Sequence, residues 1–235
     1  MSTLERVDYA DGDTALTGWL ARPVGHARAA VLVFPTIMNI APVIQAKALA
    51  LAEQGYLALI ADFYGAPVPD FPTSIKLAGA LRSDVDLYRA RLGAGLCALE
   101  LLSPGLLRAA IGFCMGGQAV LELARENADL ALVASFHGIL ETGRQATVGG
   151  PIGPRILVCH GDVDPLVPRA QVIAFWEEMD AAGANWHFHS YAGVDHGFTN
   201  PDPSPASGAI SYDASADRQS WAAMLGLFDE ILVQG

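Results

Sequence analysis

The sequence predicts an α/β protein with a mostly parallel central sheet and helices on both faces. Short β-branched runs alternate with longer helical stretches along the chain, the order that builds parallel strands through helical crossovers. Residues 30–34, Ala-Val-Leu-Val-Phe, are apolar at every position instead of every second one, as a strand buried on both faces must be. With 52% hydrophobic residues among 235, the chain can bury one large core, and a single domain over residues 1–235 is expected.

Residues 6–9 and 17–21 read as two leading antiparallel strands, followed by the buried strand 30–34. A helix opens near Pro42, a residue suited to a first helical position, runs to Gln54 and stops at Gly55. Residues 56–61 form the next buried strand. The Pro-rich loop 66–72 leads into a helical region over 74–102, and 108–112 is a strand. A helix over 115–127 precedes the strand 130–136 and the Gly/Pro-rich loop 143–154. The strand 155–160 is followed by a helix over 169–182, with Val172, Trp176 and Met179 on one face, and by the strand 186–191. The last helix spans 214–232 and buries Trp221, Leu225, Phe228 and Leu232 at helical spacing. In such a sheet, working residues gather in loops at the carboxyl ends of strands.

The formal charge of −11, without basic runs, disfavours nucleic acid or an anionic membrane as partner. No apolar stretch is long and uniform enough to span a bilayer. Cys97, Cys114 and Cys159 make an odd count without a C-x-x-C pair, and Met1 is followed by polar and charged residues instead of an apolar signal region. A reducing cytoplasm is the expected setting. Cys97 lies in a helical run and Cys159 in an apolar strand, so both are expected to fill core.

Cys114 is different. Gly112-Phe113-Cys114-Met115-Gly116-Gly117 reads as a strand passing through a tight turn into a helix, with the thiol at the apex. Glycines flank the apex because a Cβ would collide with the neighbouring strand or helix in so sharp a turn. The positive end of the helix dipole lowers the thiol's pKa and raises its thiolate fraction.

A thiol that attacks an acyl carbon needs a base, and the base needs an orienting partner. His196 follows the last predicted strand in Gly193-Val194-Asp195-His196-Gly197-Phe198, and an Asp-rich loop, residues 160–168, follows the strand before it. Asp164 is preferred as the acid because D-x-x-V-P places it at the outward turn before the next helix. Asp162, nearer the strand end, is expected to brace the loop through its backbone NH groups, and Asp195 to form a turn. An oxyanion hole would use the NH of Met115, next to the nucleophile, and that of Ile37 in the loop after residues 30–34. His187 and His189 share one face of a strand but lack a third ligand, so no metal site is expected. His160 reads as structural, while His137, at a strand end, is a candidate substrate wall.

These residues resemble the dienelactone hydrolase family of α/β-hydrolases over nearly the whole chain. The resemblance rests on G-F-C-M-G-G at 112–117, D-x-x-V-P at 164–168, H-G-F at 196–198 and Ala61-Asp62-Phe63-Tyr64-Gly65, all in the nucleophile, acid, histidine order of that fold. It implies an α/β-hydrolase fold, a Cys114–Asp164–His196 triad, oxyanion donors at Ile37 and Met115, and no cofactor. It also exposes departures. The family's glutamate after the third strand is Thr36 here, and its arginine four residues past the histidine is Asn200. Another carboxylate-binding arginine of the family comes from the helical segment before the Cys114 turn, for which Arg82 is a candidate and Arg89 a weaker one. The candidate substrate contacts are thus Thr36, Arg82, His137, Phe198 and Asn200. The expected activity is hydrolysis of a small ester or lactone through a cysteine-bound acyl group, by a monomer or small homo-oligomer. The alternatives are a thioesterase or general carboxylesterase and, from another class, a homologue that binds ligands without turnover.

Overall fold

The structure, a computed structural model, describes residues 3–202 and 211–232. Strands β1 (Leu4–Asp11) and β2 (Thr14–Ala21) form an antiparallel hairpin in register from Leu4 opposite Ala21 to Asp11 opposite Thr14. β3 (Ala30–Phe34) and β4 (Leu57–Ile60) are buried at every position, and α1 (Pro42–Glu53) crosses between them. Pro42 occupies the first turn of α1, and Gly55, at φ 91°, ends its excursion as the sequence indicates.

The helical region 74–102 is two helices, α2 (Phe71–Arg82) and α3 (Val85–Leu102). Asp84 breaks it: its carboxylate accepts the NH groups of Asp86 and Leu87 at 3.0 and 3.1 Å and so caps a new helix start. There follow β5 (Arg108–Phe113), α4 (Met115–Arg125), β6 (Leu132–Phe136), β7 (Arg155–Gly161), α5 (Arg169–Ala181), β8 (Trp186–Tyr191) and α6 (Ala214–Ile231).

The strands hydrogen-bond in the order β1-β2-β4-β3-β5-β6-β7-β8; β3 through β8 run parallel to one another, and the β1–β2 hairpin joins the edge with β2 antiparallel to β4. Successive side chains of β3 alternate between two cores. Leu32 joins the one covered by α3, α4 and α5, whereas Val31 and Val33 join the one covered by α1 and α6. After β4 the chain returns to the far side of β3, so the sheet's switch point lies between β3 and β5, where a crevice opens beyond the strand ends. The register places Phe34 opposite Gly112, Phe113 opposite Phe136 and Phe136 opposite Cys159, which brings the loops after β3, β5, β6 and β7 to one rim.

Two helix faces depart from the sequence reading. On α5 the residues turned inward are Val172, Phe175 and Met179, while Trp176 stays 38% exposed and stacks on Trp186. On α6 the buried face carries Ala216, Ser220, Met224, Leu227 and Phe228, with Trp221 and Leu225 only partly covered. Cys97 is also not core: it is exposed, because α3 turns Tyr88, Leu92 and Leu99 inward. Cys159 is buried, and burial pushes its thiol up to about 12.

Candidate active site

β5 runs straight into α4 with one residue at the corner. Cys114 has φ 55° and ψ −115°, a backbone state that L-residues rarely adopt. The turn closes only because its flanks are glycines. A Cβ on Gly112 would stand 1.9 Å from the Gly116 carbonyl oxygen, and one on Gly116 2.2 Å from that of Phe34. The Cys114 NH points inward and is shared by the Phe136 carbonyl and His137 Nδ1, each at 3.1 Å.

Asp164 and His196 meet as the loop order anticipates. Asp164 Oδ2 lies 2.7 Å from His196 Nδ1, and both side chains are buried. The other carboxylate oxygen, Oδ1, accepts the NH of Leu166 at 2.8 Å, so the acid braces its own loop. Bracing was the expected task of Asp162. That residue instead pairs with Arg169 at 2.7 Å on the surface, since its side chain leaves the turn on the solvent side.

His196 Nε2 is buried and makes no hydrogen bond among the described residues, and the Cys114 thiol is the nearby group that acts most strongly on its charge. Burial alone would raise the Cys114 pKa. The charge of His196, its hydrogen-bonding capacity, and the NH groups of Met115 and Ile37 outweigh burial and hold the thiol below its ordinary value. For His196, burial pulls the pKa down, but the Cys114 thiolate and Asp164 raise it overall. Each partner thus favours the charged form of the other.

Met115 and Ile37, whose NH groups help lower the thiol's pKa, are each fixed from behind by a tyrosine. The Tyr64 hydroxyl donates to the Ile37 carbonyl at 3.1 Å, and that of Tyr88 donates to the Met115 carbonyl at 3.2 Å. Asp62 ties down the loop that carries Tyr64. Its Oδ1 accepts from Tyr64 NH, Gly65 NH and Asn39 Nδ2, and its Oδ2 accepts from Thr17 NH. Sequence reasoning gave Tyr88 and Asn39 no role and used Asp62 and Tyr64 only as marks of resemblance. Tyrosines one helix or one loop away leave no spacing signal to find them by.

A cavity of about 160 Å³ opens over Cys114, lined by Thr36, Ile37, Met38, Phe71, His137, Leu166, His196, Gly197 and Asn200. Thr36, His137 and Asn200 are therefore at the site. Phe198 is not: its ring is wholly buried between His137 and Tyr191, because the turn at Gly197 directs it into the core. Arg82 is exposed at the end of α2 and lines a different cavity with Tyr88, Gln118 and Glu141. Arg89 is consumed by a buried network, bonding Glu122 at 2.8 Å, the Arg144 carbonyl at 2.7 Å, and Glu126. The His187 ring bonds Arg155 at 2.7 Å. Among the described residues, no group of three or more His, Cys, Asp or Glu side chains could hold a metal ion.

An eight-stranded, mostly parallel sheet with this strand–turn–helix corner defines an α/β-hydrolase. The profile of the dienelactone hydrolase family matches residues 16–232, and the chain belongs to that family. It is a dienelactone hydrolase-like hydrolase. Among solved structures, a dienelactone hydrolase-like promiscuous phosphotriesterase from metagenomic libraries is 35% identical, covers 98% of both chains and superposes with a TM-score of 0.92. A dienelactone hydrolase from Anabaena variabilis, at 23% identity over 95% of this chain and 98% of its own with a TM-score of 0.65, is a likeness of fold alone. In sequence, a probable 2-oxo-3-(5-oxofuran-2-ylidene)propanoate lactonase from Bradyrhizobium is 28% identical over 83% of this chain and 84% of its own. No helix among the described residues is long and apolar enough to cross a membrane.

Proposed function

We propose that the chain hydrolyses a small, uncharged ester or lactone through a thioester on Cys114. The observation that carries this reading is a strained strand–helix corner that sets Cys114 in one cavity with His196, whose ring Asp164 holds at 2.7 Å. The Cys114 thiolate attacks the carbonyl carbon, forming a C–S bond while the carbonyl π pair moves to oxygen, where the Ile37 and Met115 amides receive it. Collapse expels the alkoxide, which takes a proton from His196; in a lactone it stays tethered. His196 then takes a proton from water, whose oxygen attacks the thioester, and collapse of the second oxyanion returns the thiolate and releases the acid. Asp164 keeps His196 in the required orientation throughout. A reducing, cytoplasmic setting suits a thiolate that works without a disulfide partner.

The walls decide the substrate. Apart from the reacting pair, the cavity is lined by uncharged groups, and it matches the ~150 Å³ of an apolar cavity that takes one benzene-sized molecule. Neither arginine expected from the family's carboxylate clamp reaches it. A small neutral acyl group fits better than an anionic lactone. The same neutrality favours a second reading, attack at the phosphorus of an uncharged triester, the activity named for the 35% identical neighbour.

Intact-mass measurement during turnover of a neutral aryl ester tests both readings. An acyl adduct that maps to Cys114, with turnover lost in Cys114→Ala, is expected. Turnover surviving in Cys114→Ala overturns the thioester route, and a diethylphosphoryl adduct from a neutral aryl phosphate triester selects the second reading.

A further inference from the structure

His137 stands at the end of β6 with φ 41°, left-handed for a residue that is not glycine, and it is only 2% exposed. Its backbone NH bonds the Cys159 carbonyl at 2.8 Å, which ties it to β7. Both ring nitrogens are occupied. Nδ1 accepts from the Cys114 NH at 3.1 Å, and Nε2 lies 2.9 Å from Thr199 Oγ1. A backbone NH can only donate, so Nδ1 carries no proton and Nε2–H donates to Thr199. Thr199 is buried and follows His196 by three residues. One imidazole therefore bridges the corner that bears the thiol and the loop that bears its base, with its ring 5.2 Å from that of His196 in an edge-to-face arrangement.

The surroundings hold this ring in place. Gly117 and Gly138 pack backbone to backbone, since a Cβ on Gly117 would stand 2.6 Å from Gly138 Cα. Phe198 lies edge-to-face against the other side at 5.2 Å. Burial and the positive His196 hold His137 neutral, as its double role requires.

We propose that His137 is a positioning residue: as a neutral strut between the Cys114 amide and Thr199, it sets the spacing of thiolate and imidazolium. This goes beyond the candidate wall role, and it rests on the thioester reading. A misplacement of about 1 Å at a reacting pair costs on the order of a hundredfold in rate, so a strut of this kind acts on kcat.

The substitutions separate its two bonds. Asn places an acceptor near the Nδ1 position and tolerates positive φ, Leu removes both bonds, and Thr199→Val removes only the second. The readouts are kcat and KM for a neutral aryl ester, the pH midpoint of Cys114 alkylation, and Tm. His137→Leu is expected to lower kcat by roughly tenfold to a hundredfold with KM within about twofold, and to move the alkylation midpoint upward. His137→Asn and Thr199→Val should each fall between Leu and wild type, and these two serve if the Leu variant does not fold. An unchanged alkylation midpoint in every variant, losses of kcat that only follow Tm, or an effect on KM alone overturns the strut. Failure of the underlying reading shows separately, as turnover that survives in Cys114→Ala.

Discussion

The Tyr64 hydroxyl donates to the Ile37 carbonyl at 3.1 Å, so a side chain from the loop after β4 orients a residue that lines the Cys114 cavity and whose NH helps lower the thiol's pKa. Tyr88 likewise holds the Met115 carbonyl from α3. Both residues are thus set by elements distant from them in sequence.

Tyr64→Phe should lower kcat by about two- to tenfold and leave KM nearly unchanged, the effect of one hydrogen bond worth about 0.5–1.5 kcal/mol. Steady-state kinetics on a neutral ester decides it. A change confined to KM would make Tyr64 a substrate contact.

Iodoacetamide should label Cys114 ahead of Cys97 and Cys159 at neutral pH. The Cys114 thiol is held below its ordinary value, Cys159 is buried and pushed up to about 12, and Cys97 lies exposed in the middle of α3. The rate should fall on the acid side as Cys114 takes up its proton, at a pH below the usual thiol range. In Cys114→Ala, His196 loses the thiolate that raises its pKa while the burial that lowers it remains, so its imidazole should titrate lower. Peptide mapping and an imidazole NMR titration measure these effects; equal labelling of all three cysteines sinks the first.

Asp164→Asn should cost at least about a hundredfold in kcat, because His196 loses the group that fixes its tautomer. Asp162→Asn removes an exposed ion pair with Arg169 and should stay within about twofold. The reverse ranking would move the acid to Asp162.

Asn200→Arg should raise kcat/KM for a carboxylate-bearing lactone by roughly tenfold to a hundredfold relative to its neutral ester, as a charge-assisted hydrogen bond of about 1.5–3 kcal/mol implies. Equal effects on both substrates, or a strong anionic preference in the wild type, would show that a cation already reaches the site.

Arg125 is wholly buried between Glu122 and Glu178 at 3.0 and 2.8 Å, and it also bonds the Leu140 carbonyl. Arg125→Met leaves buried carboxylates without their partner and should destabilise the fold by about 3–5 kcal/mol in urea denaturation. A loss below about 1 kcal/mol would show that the network relaxes freely.

Local chemistry fixes much of this protein before any tertiary contact forms. Continuous apolar runs mark β3 and residues 156–159 of β7, as strands buried on both faces favour. Gly112 and Gly116 mark the corner at Cys114 because no Cβ fits there, and Asp164 and His196 fall at strand ends, where their loops must meet. What the chain's order leaves open is decided by packing across it. Cys97, Trp176 and Phe198 each occupy a plausible periodic or motif position, but which face a helix or turn presents depends on neighbours far away in sequence. The bonds of Tyr64 to Ile37, Tyr88 to Met115 and His137 to Cys114 join elements 23–27 residues apart, and Arg89 is diverted from any ligand by Glu122, 33 residues on. A hydrogen bond is set by distance and angle in space, and sequence spacing carries neither across a loop.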